Sequence, residues 1–72
     1  MIDVQKLKGK IVEKGLNVER LAKMIGVNKS TLYRKLNGTA DDITIGEALS
    51  IARVLELNRD EATTIFFGAD VA

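Results

Sequence analysis

Apolar residues recur along this chain at the three-to-four-residue spacing of helices, and they lack the strict alternation of strands. Val4, Leu7 and Ile11 form a first stripe behind Asp3, a capping residue, and ahead of Gly15, a stop, so a helix is predicted from about Val4 to Lys14. Lys6, Lys10 and Lys14 step along another face of it, either toward a polyanion or simply into solvent. Gly9 costs this helix about 1 kcal/mol relative to alanine and leaves room for close packing. After Leu16, Asn17 caps a second helix that carries Leu21, Ala22 and Ile25 on one side and ends at Gly26. Val27 can tuck inward, and Asn28 caps a third helix. Leu32 and Leu36 anchor that helix, and Lys29, Ser30, Tyr33 and Arg34 occupy its other face, with Thr31 and Lys35 at the flanks.

Asn37 to Asp42 reads as a loop. Thr44 followed by Glu47 is a capping box, which starts a fourth helix from about Ile45 to Leu55 with Ile45, Ala48, Leu49, Ala52 and Leu55 as its core face. Asn58 and Glu61 repeat the signal for a fifth helix ending near Phe67, with Ala62, Ile65 and Phe66 inward. Phe66 and Phe67 cannot comfortably share one small core. Either one is a dimer contact, or both cover the core's open end.

The second and third helices form a recognisable pair. Ala22 is small where two helices would cross closely, Gly26 reverses the chain four residues later, and Leu32 is an apolar anchor six residues further on. Together these predict a helix-turn-helix, whose second helix is short, polar on its outer face and fit to enter a DNA major groove. The plainer alternative is an ordinary helical hairpin with a solvated outer face.

The segment LAKMIGVNKSTLYRKLNG resembles the DNA-binding core of lambda-repressor-like, Cro-type (XRE-type) regulators of phages and bacteria. The following IGEALSIARVLELNRDEATTIFF resembles the two helices that close that domain, so the resemblance spans roughly residues 4–67. It implies an all-α, compact five-helix lambda-repressor-like domain, with the helix-turn-helix at helices 2 and 3 and residues 1–72 forming one unit. It also implies base reading by Lys29, Ser30 and Arg34, and a phosphate contact at Asn37. Two positions depart from the pattern: Val18 stands where many relatives have glutamine, and Lys35 where many have an apolar residue.

Side-chain chemistry agrees with that placement. Arg34 can donate bidentately to O6 and N7 of guanine, and Lys29 can reach the same atoms with less geometric constraint. Ser30 is permissive. The methyl group of Thr31 can meet thymine while its hydroxyl meets phosphate. Tyr33 either packs on the sugar-phosphate backbone or caps the core edge. Lys35 is expected at phosphate or in solvent. At Asn17 the exposed N–H groups of a helix N-terminus can receive phosphate, and Asn28 is a further backbone-flanking position.

Composition narrows the field. Seventy-two residues make a single domain, and 46% hydrophobic content suffices for one core. With neither cysteine nor histidine, the chain lacks a disulfide framework, the usual zinc ligands and the commonest general base. No cofactor, metal or small-molecule ligand is therefore expected. No apolar run is long enough to span a bilayer and the N-terminus lacks a signal core, so a cytoplasmic protein without a membrane partner is expected, in a bacterial or phage-infected cell. Net charge is only +1, but residues 1–40 hold nine cations against three acids and residues 41–72 hold two against seven. A basic half and an acidic half suit a protein that turns one side to a polyanion.

The expected function is sequence-specific binding of double-stranded DNA in transcriptional regulation, repressor or Cro-like, with residues 28–37 in the major groove. One small domain covers little DNA, so a homodimer on paired half-sites is expected, at least on DNA. Asp41 and Asp42 should then point away from phosphate. The rival reading is a protein-interaction module, adaptor or antitoxin-like, that binds partners through the acidic half or the Phe66-Phe67 end. An enzyme is not expected, since no nucleophile-base constellation is visible.

Overall fold

Five helices follow one another in the computed structural model: α1 (Val4–Glu13), α2 (Val18–Ile25), α3 (Lys29–Leu36), α4 (Ile45–Val54) and α5 (Arg59–Phe67). Residues 2–38 and 43–67 are described; the expected orientation of Asp41 and Asp42 lies outside them. The architecture is all-α, as expected, and helix ends fall within about one residue of the predicted positions.

The helix starts follow the capping chemistry. Asp3, Asn17 and Asn28 accept backbone N–H bonds from Lys6, Arg20 and Ser30 at 3.1, 2.8 and 2.8 Å. Thr44 and Glu47 close their box reciprocally at 2.9 and 3.1 Å, and Asn58 and Glu61 do the same at 3.0 and 2.8 Å.

Three helix ends share one device. After α1, the N–H groups of Gly15 and Leu16 reach back to the carbonyls of Val12 and Ile11; after α2, those of Gly26 and Val27 reach Lys23 and Ala22. After α4, Glu56 and Leu57 reach Arg53 and Ala52 in the same way. Each turn needs one left-handed residue, and each is followed by an apolar one (Leu16, Val27 or Leu57) packed on the core. Glycine fills the left-handed position twice, whereas Glu56 holds φ +55 without that freedom.

Leu7, Ile11, Leu21, Leu32, Ile51, Leu55 and Ile65 fill the centre, with Ala22, Val18 and Leu36 at its margins. Ala22 permits the close approach of α2 to its neighbours, and α2 is the helix that packs on both α3 and α4. The start of α1 is tied to α5 by the Asp3 N–H, which donates to the Ile65 carbonyl at 2.7 Å.

Helix α4 corrects the sequence expectation. Ile45 and Leu49, assigned to its core face, are 76% and 62% exposed, while Ile51, outside that assignment, is fully buried beside Leu55. The helix is rotated so that its Ile51 edge meets α2. Its Ile45-Leu49 edge lines an open apolar groove with α5.

Two lysines of the basic half stitch neighbouring helices together. Lys35 Nζ donates to both carboxylate oxygens of Glu47 at 2.8 and 2.9 Å, joining α3 to the start of α4. Lys10 donates to Glu61 and so joins α1 to the start of α5. A third, Lys14, meets Glu56 at 3.3 Å. These pairs hold the Glu61 carboxyl below its ordinary range, through Lys10 first, and the Lys10 ammonium above its own, through Glu61 first. The Glu47 carboxyl is likewise lowered, chiefly by the hydrogen bond from Lys35 and then by the Thr44 backbone.

A lowered folded-state pKa means that the stabilisation from Glu47 is present above its ordinary value of 4.5 and is lost as pH falls through the lower folded value. Glu47→Gln is expected to melt below wild type at pH 7, with the gap closing as both are titrated down through 4.5. Melting curves from neutral to acid pH check this. A gap that stays constant would show that the charge is not what matters.

Gly9 lies on the exposed side of α1, and a Cβ built on it meets nothing within 4 Å. The close packing allowed for at this residue does not occur. Gly9→Ala is therefore expected to raise stability by about 0.5–1 kcal/mol, measurable as a higher urea midpoint with unchanged slope.

Candidate nucleic-acid interface

The turn between α2 and α3 fixes how α3 is presented. Gly26, at φ +79, lets the chain reverse within one residue, and Asn28 turns extended to cap α3. Leu32 and Leu36, four residues apart, are buried against the body of the domain at 2% and 5% exposure. The remaining periodicity points outward: Lys29, Ser30, Tyr33 and Arg34 are all exposed, and Thr31 is half-buried.

The candidate base-reading residues Lys29, Ser30 and Arg34 thus lie on the exposed surface of one two-turn helix. Tyr33 stands among them, 45% exposed. Asn37 is the exposed residue that ends α3. Asn17 and Asn28 use their side-chain oxygens as caps, which leaves other backbone N–H groups of these two first turns unbonded within the helices.

Lys35 departs from its expected place. Its side chain is only 13% exposed and is held by both oxygens of Glu47, so it braces α3 against α4 and does not point to solvent. The lysine row on α1 changes too, because Lys10 and Lys14 serve Glu61 and Glu56. Charges segregated along the sequence are in part neutralised in space. Lys6, Lys8, Arg20, Lys23, Lys29 and Arg34 remain exposed on the first three helices.

Glu19 is one of the three acids in the basic half. It sits in the first turn of α2 with its carboxylate 3.5 Å from the Lys29 ammonium, across the two motif helices. Ten residues separate the pair, so neither helical nor strand spacing reveals it.

Phe66 and Phe67 lie elsewhere. Phe66 is half-buried and Phe67 is 59% exposed, and both line the groove of about 560 Å³ formed with Ile2, Ile43, Ile45 and Leu49. No residue of α2 or α3 contributes to it. Among the described residues no three metal-capable side chains converge, and no helix is long and apolar enough to cross a membrane.

A family model for the Cro/C1-type HTH DNA-binding domain matches residues 6–65, most of the chain and all of α2, the turn and α3. No curated protein matches the chain.

Proposed function

Since the chain belongs to the Cro/C1-type helix-turn-helix DNA-binding domain family, we propose that it is a sequence-specific transcriptional regulator, repressor or Cro-like, that reads duplex DNA with α3 in the major groove. The observation that carries this reading is the division of α3: two buried leucines hold it, and Lys29, Ser30, Tyr33 and Arg34 face outward over two turns. Arg34 donates to O6 and N7 of a guanine, Lys29 to a neighbouring base edge, and Ser30 bonds whichever base adjoins it. Arg20, Lys23, Asn17, Asn28, Thr31 and Asn37 lie on phosphates beside the groove, displacing condensed counterions and setting the register. Lys35 acts by holding α3 in place.

The chain acts as a homodimer in the bacterial cytoplasm, with the Phe66-Phe67 end of α5 and the exposed edge of α4 as its self-contact. A contact made by both copies through the same patch gives a two-fold axis, and the two reading helices then meet half-sites about 34 Å apart. Occupying such a site excludes other proteins from it. That is the simplest way for a domain of this size to repress.

The test is selection from a random-sequence duplex pool, followed by a salt series on the recovered sequence. The expected result is an enriched, two-fold-symmetric motif whose log affinity falls linearly with log salt, by about 0.9 per phosphate neutralised. An enriched motif without symmetry would overturn the dimer. Failure to enrich any sequence at about 50 mM salt, where charge contacts are strong, would overturn DNA reading. It would leave the exposed α4–α5 groove, as a protein-docking surface, the better guide to function.

A further inference from the structure

Glu19 is a carboxylate on the side of the molecule proposed to meet a polyanion, and the reading of DNA above gives it no task. Its position is well defined. It stands in the first turn of α2, where the aligned backbone dipoles favour a negative charge. Its Oε2 lies 3.5 Å from Nζ of Lys29, the first residue of α3. Both side chains are about half exposed, at 51% and 56%, so the pair is open to whatever approaches. Four further ion pairs serve the body of the domain, joining Lys10 to Glu13 and Glu61, Lys14 to Glu56, and Lys35 to Glu47. The Glu19–Lys29 pair links the two helices of the motif to each other.

Two kinds of acceptor compete for Lys29 in a DNA complex. A phosphate oxygen carries charge, so it must displace the Glu19 carboxylate or sit beside it against like-charge repulsion. The O6 and N7 atoms of guanine carry no net charge, and an ammonium has three donors. Lys29 can therefore serve a base edge while keeping Glu19. We propose that Glu19 is a specificity-determining residue, which restrains Lys29 from anchoring on phosphates and reserves it for base edges. Non-specific complexes rest almost wholly on phosphate contacts, so the restraint falls on them more heavily than on a complex with the preferred sequence. This rests on the DNA-reading function proposed above.

The experiment uses the full chain, the duplex recovered by wild-type selection, and an alternating dA·dT duplex, whose major groove lacks the guanine O6–N7 pair, as the non-specific probe. Glu19→Gln, Lys29→Ala and the double variant are compared across a salt series. Glu19→Gln is expected to bind the dA·dT duplex about three- to tenfold more tightly, with the salt slope steeper by about 0.9 as Lys29 gains a phosphate. Its affinity for the selected duplex should change less than about twofold, so that the specificity ratio falls. In the Lys29→Ala background the same substitution should lose most of its effect. An equal gain on both duplexes would overturn the proposal, since Glu19 would then act only as a general negative charge. An undiminished gain without Lys29 would overturn it too. A wild-type chain that selects no sequence at all would overturn the underlying DNA reading, and Glu19's role with it.

Discussion

Ile51→Ala is expected to remove about 2–5 kcal/mol from the stability of this domain, the largest loss among the substitutions considered. Ile51 is fully buried in the middle of α4, on the edge that meets α2, and it is surrounded by the other fully buried leucines and isoleucines. Truncating it forfeits the transfer free energy of three carbons and opens a cavity that short helices pinned by ion pairs are poorly able to collapse. A domain of this length has on the order of 4–11 kcal/mol in total, so the variant sits at the margin of folding. The midpoint of thermal melting should fall by about 4–8 °C for each kcal/mol lost. Leu49→Ala is the control, because Leu49 is 62% exposed and should cost well under half as much in the isolated domain. Equal losses at 49 and 51 would show that α4 is rotated differently from the arrangement described here.

Arg34→Ala should leave stability almost unchanged and strike binding instead. The side chain is exposed on α3, away from the Leu32–Leu36 anchor. Loss of a bidentate guanine contact is worth about 1–3 kcal/mol, a factor of roughly 5 to 150 in affinity for the selected duplex. The loss should be confined in sequence: at one base position the variant should cease to distinguish guanine from the other bases, while discrimination elsewhere in the half-site persists. Competition binding with a set of single-base variants of the selected duplex measures this. A uniform loss across all of them, with the salt slope reduced by about one, would reassign Arg34 to a phosphate.

Much of the fold was legible in local chemistry. Asp3, Asn17, Asn28, the Thr44–Glu47 pair and the Asn58–Glu61 pair each mark a helix start that the structure contains, because capping depends on residues at most three apart. The Ala22-Gly26-Leu32 constellation was equally readable, since a sharp reversal between two closely packed helices demands a small residue, a glycine and an anchor at fixed distances. The face of α4 was not. Seven of its eleven positions from Ile45 to Leu55 are apolar, so the helical period fits the Ile45-Leu49 edge as well as the Ile51-Leu55 edge. Only the position of α2 decides between them. The destinations of Lys10 and Lys35 were hidden for a related reason. Their glutamates lie 51 and 12 residues away, and a lysine row on a helix looks the same whether it meets phosphate, water or a carboxylate. Charge counted by halves of the chain averages away Glu19, an acid placed at one particular lysine.

The double use of Glu47 and Glu61 bears on how the chain folds. Helices of eight to ten residues are too short to persist alone in water, since nucleation costs more than so few turns return. Each of these glutamates closes the first turn of its own helix and, with the same carboxylate, receives a lysine from an earlier helix. The start of α4 is thus completed when α3 arrives, and the start of α5 when α1 arrives. Local order and docking share the same carboxylates, so neither gains its full stabilisation before the other. A chain wired in this way is expected to melt in a single step, with equal calorimetric and van't Hoff enthalpies.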